Sequence, residues 1–291
     1  MRAVAMDVAT APYLTEMSAE TGLVSPEIDR RKGAELHEQY QSASPFPHIA
    51  IDDFLPPDVL ERCLAEFPSY RGSEDTEFNR DQERFKTQFN PDEMSPWLRG
   101  LFYGFNSRPF IQLLQNITGI KHLIPDPYFL GAGFHEIRNG GHLSVHADFN
   151  HHKPMDLERR INVLIYLNKS WPESYGGSLE LWDHGVANCV RKIAPEFNRC
   201  VIFNTTSDSW HGNPEPVNHP KGISRKSIAL YYYTSTWSDA KRDHTTQFKV
   251  RPGSQDKTDW RVTLKEAIAD IVPPILYRSL RKRRSGTVGD D

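Results

Sequence analysis

Between residues 128 and 236 the chain consists of short apolar runs separated by glycine, asparagine, aspartate and proline. The runs cover residues 128–138, 142–146, 161–167, 178–182, 189–193, 200–203 and 227–236. Each run has the length of a β-strand, and no stretch with helical spacing lies between them. About seven such strands in succession, without helices between them, are typical of antiparallel sheets. The pattern therefore predicts an antiparallel sandwich or jelly roll rather than βαβ units.

Helical spacing is confined to the flanks of this region. Before it, residues 45–51 alternate like a strand, residues 56–67 form a helix that Pro68 ends, and residues 95–105 and 107–118 form two further helices. The charged segment 72–84 is predicted to be a loop. After the apolar runs, residues 260–284 return to helical spacing, interrupted by Pro273 and Pro274. The expected fold class is α+β, mainly β: a double-stranded β-helix (jelly roll) with N-terminal helices packed on it and a short C-terminal helical tail.

The same pattern predicts four parts of the chain. Residues 1–44 are polar and lack sustained periodicity, so they are predicted to be a flexible N-terminal extension. Residues 45–125 form the helical and mixed N-terminal part, residues 126–240 the jelly-roll core, and residues 241–291 a C-terminal helical segment with a basic tail. The basic run at 278–284 could contact an anionic membrane or polymer, although such runs more often end a solvated helix.

Composition narrows the classes of function. The formal net charge of −3 gives no basic field for nucleic acid, which is not expected as a partner. The three cysteines show no CxxC spacing, which argues against disulfides and cysteine zinc sites and fits a reducing compartment. The N-terminus lacks a continuous apolar segment, and no apolar run approaches eighteen residues. A cytoplasmic protein without a secretory signal or transmembrane segment is expected.

One group of residues suggests a metal centre. His146 and Asp148 are two residues apart, so in an extended segment both side chains point to the same face. His211 follows a distant apolar run that a jelly roll brings opposite the first. Two imidazoles and one carboxylate are the ligand set of non-haem Fe(II) sites that keep positions open. A chain of this composition contains about one His-x-Asp triplet by chance. The spacing alone therefore leaves open a surface hydrogen bond and a turn histidine.

A second group suggests a carboxylate-binding position. Arg225 and Ser227 begin a strongly apolar strand and share a face at the rim of the core. The planar guanidinium of a buried arginine suits a carboxylate in bidentate geometry, although an ion pair with the protein's own carboxylate is common. Tyr166 shares a face with Asn162 and Leu164, and its hydroxyl could bind the same carboxylate, although most strand tyrosines simply pack.

Sequence blocks in order resemble a known family. They are GGHLSVHADF at 140–149, YLNKSW at 166–171, GGSL at 176–179 and FNRCVIF at 197–203, followed by His211 and Arg225. The chain resembles the Fe(II)- and 2-oxoglutarate-dependent dioxygenases of the prolyl 4-hydroxylase-like branch, over residues 128–236 and more loosely over 45–68. The arginine is nearer to the oxygen-sensing enzymes than to the collagen type, which has lysine there. Many relatives have tyrosine at the position of Ile137, so that co-substrate contact is absent or replaced.

The resemblance implies both roles and reaction. His146, Asp148 and His211 would hold iron, and Arg225 would bind the C5 carboxylate of 2-oxoglutarate, assisted by Tyr166 and Ser227. With O2 as the other co-substrate and ascorbate as a candidate reductant, the enzyme would hydroxylate an aliphatic C–H bond and release succinate and CO2. Asp148 keeps the ligand set complete, which argues against a halogenase.

Two other classes of function stay open at this point, and so does the substrate. The jelly roll could be a non-catalytic metal and 2-oxoglutarate sensor, or a zinc-dependent hydrolase could use the same His/Asp/His set. The candidate substrates are a peptidyl proline, a free amino acid, a saccharide or a lipid-linked precursor, because fold-level analogy does not fix the substrate.

Overall fold

The computed structural model of the chain describes residues 11–68, 72–238, 241 and 243–257. Its helices are α1 (His37–Gln41), α2 (Pro57–Ala65), α3 (Pro96–Phe105) and α4 (Arg108–Thr118), with single 3-10 turns at Ala34–Leu36, Pro91–Glu93 and Glu173–Tyr175. Its strands are β1 (His48–Ile51), β2 (Thr76–Arg80), β3 (Glu83–Phe89), β4 (Ile124–Pro125), β5 (Gly133–Ala147), β6 (His151–His152), β7 (Leu157–Tyr166), β8 (Leu179–Trp182), β9 (Cys189–Ile193), β10 (Cys200–Asn204), β11 (His211–Asn213), β12 (Arg225–Thr234) and β13 (Gln247–Phe248).

These strands form one 13-stranded sheet whose main path runs β1-β10-β7-β12-β5-β11-β8-β9. All pairs between these strands are antiparallel. The long strand β5 joins the two halves, because its first part pairs with β12 and its last part with β11. The mainly antiparallel jelly roll expected from the sequence is confirmed.

The predicted runs at 128–138 and 142–146 are one strand, β5, rather than two. Gly140 lies inside it at φ 77°, a left-handed conformation that residues with a Cβ rarely adopt. A Cβ at Gly141 would lie 2.7 Å from the Arg84 carbonyl oxygen. The two glycines therefore allow β5 to bend without ending, so that the strand reaches both halves of the sheet.

Helices α2, α3 and α4 pack on one face of the sheet and share its largest apolar cluster. Val59 of α2, Phe102 of α3 and Phe110 of α4 belong to that cluster together with Val163 of β7. Tyr232 of β12 donates its hydroxyl to the Phe105 carbonyl oxygen at 2.9 Å, which ties the end of α3 to the sheet. The other face of the sheet is left to the cavity described below.

The structure differs from the flexible extension expected over residues 1–44 in the described part, 11–44. Leu14 and Tyr40 are fully buried. The Leu14 amide donates to the Phe54 carbonyl oxygen at 2.8 Å, and the Tyr40 hydroxyl donates to Asn204 Oδ1 at 2.7 Å. A few buried apolar side chains at irregular sequence positions hold this segment against α2 and the sheet. Because their spacing is irregular, the sequence shows no periodicity there.

The predicted loop at 72–84 is wrong over most of its length. Residues 76–80 and 83–89 form the hairpin β2–β3, and β3 pairs with β5 from Glu83↔Leu143 to Phe89↔Phe134. The charged composition of this segment masked the strands, because Arg80, Glu83 and Lys86 of the hairpin face a cavity instead of packing in an apolar core.

The C-terminal part is described to residue 257. Strand β13 pairs with the end of β5, with Phe248 opposite His146. The helical segment predicted at 260–284 and its basic run at 278–284 lie outside the described residues. Among the described residues, no helix is both long and apolar enough to cross a membrane.

Candidate metal centre and its cavity

Two strands bring the two candidate histidines together. His146 near the end of β5 lies directly opposite His211 at the start of β11, and their ring centroids are 4.3 Å apart. Asp148 is the first residue after β5. Its Oδ1 lies 3.6 Å from His146 Nε2, and its Oδ2 lies 3.4 Å from His211 Nε2. One ligand atom from each residue lies within 4.8 Å of the others, so the three side chains could hold one metal ion.

Backbone carbonyls orient both imidazoles in the same way. His146 Nδ1 lies 2.9 Å from the Ser144 carbonyl oxygen, and His211 Nδ1 lies 2.8 Å from the Ser209 carbonyl oxygen. Since a carbonyl can only accept, each Nδ1 carries the proton and each Nε2 is left with a free lone pair. This is the arrangement by which proteins prepare histidine ligands for a metal.

The carboxylate of Asp148 is held by two further side chains. Asn162 Nδ2 donates to Asp148 Oδ2 at 2.8 Å, and Arg159 Nη2 lies 3.1 Å from the same oxygen. Arg159 also donates to Asn162 Oδ1 from Nε and Nη2, at 3.1 and 2.7 Å. Burial by itself would raise the pKa of Asp148, but the charge of Arg159 outweighs it and holds that pKa well below its ordinary value. Asp148 is therefore ionised and fixed in orientation.

Arg159 and Asn162 were missed by the sequence reasoning. Arg159 is 2% exposed, and its guanidinium lies over the rings of Tyr231 at 3.6 Å and Phe149 at 4.5 Å. The available signal was an arginine at the start of an apolar strand, three residues before an asparagine. A charge in that position is costly to bury without a partner, which points to a carboxylate nearby.

Arg225 is buried at the start of β12 and lines the same cavity as the histidines. Its Nε donates to the Gly177 carbonyl oxygen at 2.7 Å, and its Nη2 lies 3.4 Å from the Tyr166 hydroxyl. No carboxylate among the described residues forms a salt bridge with it. Burial lowers the pKa of Arg225, and Tyr166 opposes this effect. A buried cation without a counter-ion is unfavourable unless a ligand supplies the anion.

Tyr166 and Ser227, which were predicted to assist Arg225, lie in different surroundings. Ser227 lines the cavity. Tyr166 lies directly opposite Ser227 in the β7–β12 pair, but it is fully buried in an apolar cluster with Leu179 and Phe203, and its hydroxyl contacts Arg225. Tyr166 therefore supports the guanidinium from the side, whereas Ser227 faces the cavity itself.

The cavity has a volume of about 740 Å³, which is ample for two small molecules. The metal-site residues, Arg225 and the apolar side chains of Ile137, Leu143, Leu164 and Leu179 are among the residues that line it. Hairpin β2–β3 forms another wall, where Lys86 contacts Glu83 at 2.8 Å and Arg80 contacts the same carboxylate at 3.2 Å. The hairpin was predicted as a loop, so its contribution to the cavity was also missed.

Three further histidines and one arginine lie near the site in sequence. His135 and His151 line the cavity, whereas His152 is fully buried and contacts Asp126 Oδ1 at 3.1 Å. Arg138 is half exposed and forms an ion pair with Glu77.

Residues 132–233 match the family model described as the 2OG-Fe(II) oxygenase superfamily. The matched range contains His146, Asp148, His211 and Arg225. This part of the chain is similar to members of that superfamily. The superfamily expected from the sequence blocks is thus confirmed, and the donor set of two imidazoles and one ionised carboxylate, open to a cavity, fits the Fe(II) that the superfamily name implies.

One curated protein is similar to a part of the chain. The chain is 32% identical over 79 residues to prolyl 3-hydroxylase OGFOD1 of Mus musculus. That match covers 26% of this chain and 14% of OGFOD1, so the chain matches about a seventh of the length of its curated relative.

Solved structures give further similarities. A Trichoplax adhaerens prolyl hydroxylase in complex with a hypoxia inducible factor peptide fragment is 19% identical and has a TM-score of 0.48, covering 70% of this chain and 90% of that chain. A Pseudomonas putida prolyl-4-hydroxylase is 18% identical with a TM-score of 0.47, covering 69% and 98%. HygX of Streptomyces hygroscopicus, with nickel and 2-oxoglutarate bound, is 10% identical with a TM-score of 0.46, covering 70% and 92%.

Proposed function

We propose that the protein is an Fe(II)- and 2-oxoglutarate-dependent dioxygenase that hydroxylates an aliphatic C–H bond and releases succinate and CO2. The observation that carries the proposal is Arg225, a buried cation without a carboxylate partner among the described residues, in the same cavity as His146, Asp148 and His211. A metal site alone would fit many chemistries. A metal site together with an unpaired buried guanidinium fits a co-substrate that coordinates at one end and carries a carboxylate at the other.

Each residue of the proposed active site has a separate role. His146, Asp148 and His211 would hold Fe(II), and Arg225 would bind the distant carboxylate of 2-oxoglutarate, with Ser227 beside it. The bound metal would supply the redox chemistry with O2. Because the protein holds both ends of the co-substrate, it fixes which atoms meet the metal.

The surroundings support such a reaction in two ways. Asp148 stays ionised through Arg159, so the carboxylate remains a ligand and does not take up a proton at neutral pH. The apolar side chains of Ile137, Leu164 and Leu179 line the cavity. They limit the entry of water, which protects a reactive centre from side reactions.

For the substrate, a peptidyl proline is the first candidate, because OGFOD1 is named as a prolyl 3-hydroxylase. The hairpin β2–β3, residues 243–246 and Phe248 also line the cavity, and the substrate would lie against them. Free amino acids, saccharides and lipid-linked precursors are the comparison classes. Ascorbate as a reductant stays a prediction, tested by repeating turnover with and without it.

The test is a succinate-release screen with Fe(II), O2 and 2-oxoglutarate against peptide, amino-acid and sugar libraries. We expect release that needs Fe(II), rises with the correct substrate and disappears in His146→Ala. Equal release by His146→Ala would overturn the metal assignment. Binding of 2-oxoglutarate without any turnover would favour a sensor instead. Activity with Zn(II) that needs no O2 and survives Arg225→Ala would favour a hydrolase.

A further inference from the structure

Hairpin β2–β3 carries three charged side chains on the wall of the cavity. They are Arg80, Glu83 and Lys86, and all three line the cavity that contains the candidate metal ligands. Glu83 Oε1 lies 2.8 Å from Lys86 Nζ, and Glu83 Oε2 lies 3.2 Å from Arg80 Nη2. Burial by itself would raise the pKa of Glu83, but the charge of Lys86 outweighs it and holds that pKa below its ordinary value. Two cations therefore share one ionised carboxylate, which leaves one positive charge uncompensated.

The uncompensated charge belongs to Arg80 rather than to Lys86. The side chain of Lys86 is only 11% exposed and makes the shorter contact with Glu83, so these two groups form a buried ion pair. The side chain of Arg80 is 44% exposed, and among the described residues only its Nη2 contacts an acceptor. A guanidinium has five N–H groups, so most of those of Arg80 remain available to a molecule in the cavity.

The other cations that line the cavity already have a partner or a proposed one. Arg159 pairs with Asp148 at 3.1 Å, and Lys153 pairs with Asp243 at 2.7 Å. Arg225 is the proposed partner of the distant carboxylate of 2-oxoglutarate. None of these three cations is left for a second anion in the cavity.

Glu74 is the remaining carboxylate among the described residues that line the cavity. It is exposed and precedes β2, whereas Arg80 is the last residue of that five-residue strand. The strand spans roughly 13 Å from its first residue to its last. Exposed charges at such a distance are largely screened at physiological ionic strength, so Glu74 does not neutralise Arg80.

Arg80 also lies close to the candidate metal centre. Its guanidinium carbon is 5.3 Å from the centre of the Phe248 ring, and that ring is 5.5 Å from the ring of His146. The guanidinium and a candidate metal ligand therefore contact the same aromatic side chain. A molecule that holds an anionic group at Arg80 can thus bring a C–H bond to the metal site.

We propose that the substrate carries a carboxylate and that Arg80 binds it. The inference rests on the proposed function, and it narrows the substrate to molecules with an anionic group near the C–H bond that is hydroxylated. One uncompensated positive charge matches a monoanion, and the two oxygens of a carboxylate suit the planar guanidinium. A phosphate ester carries more negative charge at neutral pH than Arg80 alone neutralises.

Matched pairs of compounds test this by calorimetric titration into protein that holds Mn(II) and saturating 2-oxoglutarate. The pairs are an amidated glutamyl-proline peptide and its glutaminyl counterpart, N-acetylproline and its amide, and glucuronate and glucose. Saturating 2-oxoglutarate occupies Arg225, so the added carboxylates report on Arg80. We expect the anionic member of at least one pair to bind about tenfold more tightly than its neutral counterpart.

Two substitutions on the hairpin distinguish a binding role from a structural one. Arg80→Gln should remove the preference by weakening only the anionic compound, since Glu83 keeps Lys86 as its partner in this variant. Arg84→Gln is the matched control and should keep the preference, because Arg84 is exposed on β3 and does not line the cavity. A preference that survives Arg80→Gln would overturn the inference, and so would equal weakening of both members of a pair.

The wild-type protein gives two further outcomes. If it binds 2-oxoglutarate but shows equal affinity within every pair, or binds none of the compounds, the inference is wrong and the proposed function stands. If it binds Mn(II) but not 2-oxoglutarate, the proposed function itself fails. The two failures are therefore distinguishable.

Discussion

Arg159 and Asp148 form a buried ion pair at 3.1 Å, with the guanidinium placed over the ring of Tyr231. The pair joins the start of β7 to the residue that follows β5. It fixes the carboxylate before any metal binds, since Asn162 bridges the same two groups. Such a pair is costly to break on one side only, because the remaining charge stays buried and uncompensated.

Arg159→Leu is therefore expected to destabilise the metal-free protein by about 3–5 kcal/mol, measured by urea unfolding. Arg160→Leu is the control, because its neighbouring guanidinium is only partly buried and contacts the Thr234 hydroxyl at 3.2 Å. The control is expected to lose about 1 kcal/mol or less. Similar losses in the two variants would contradict the importance of the Asp148 pair.

His135 gives a prediction about pH. Burial, followed by the nearby Lys86, lowers the pKa of His135 well below its ordinary value of 6.5, so the folded protein keeps the ring neutral. In the unfolded chain, His135 binds a proton as the pH falls through 6.5, whereas in the folded protein it does not. The free energy of unfolding therefore decreases as the pH falls below 6.5 and is constant above it. Between pH 7.5 and 5.5 we expect wild type to lose about 1.4 kcal/mol more than His135→Gln.

Urea unfolding of the metal-free protein at the two pH values measures this difference. His184→Gln, at a side chain that is 79% exposed, is the control and should lose as much stability as wild type. If His135→Gln loses as much as wild type, the ring is not held neutral in the folded protein.

Much of the sheet was predictable because its strands follow local rules. The runs that became β7, β8, β9, β10 and β12 alternate or are continuously apolar and end at turn residues. Hairpin β2–β3 could not be recognised in the same way. Its Arg80, Glu83 and Lys86 face a cavity rather than an apolar core, so the sequence lacks the apolar face by which strands are identified.

The residues of the site also differ in whether the sequence could predict them. His146, Asp148 and His211 could be grouped from spacing and sequence blocks, and the structure brings them together. The roles of Arg159 and Asn162 depend on which strands become neighbours, and no local pattern encodes that. The sequence also could not predict that Arg225 has no carboxylate partner among the described residues, because this depends on how the side chains pack.

The variant Arg225→Met distinguishes a role of Arg225 in protein stability from a role in binding 2-oxoglutarate. The variant removes a buried cation that has no carboxylate partner among the described residues and replaces it with an apolar side chain of similar length. We expect the free energy of unfolding to stay the same or rise by up to about 2 kcal/mol. Affinity for 2-oxoglutarate should fall by about thirtyfold or more. Loss of stability with unchanged affinity would mean that Arg225 has a structural role.

Gly212 controls how closely β11 approaches β5. A Cβ at this position would lie 2.8 Å from the Leu143 carbonyl oxygen and 2.9 Å from that of Ser144. Gly212→Ala must therefore push β11 away, and because His211 precedes it, the two histidine rings would separate. We expect a loss of about 1–3 kcal/mol in stability and a fall in Mn(II) affinity of about tenfold, measured by urea unfolding and calorimetry.

Gly185→Ala is the control for this variant, because its Cβ would meet its nearest atom at 3.7 Å, an ordinary contact distance. It should bind Mn(II) as wild type does, since nothing has to move to accommodate the methyl group. Unchanged Mn(II) affinity in Gly212→Ala would show that the close approach of β11 does not set the distance between the ligands.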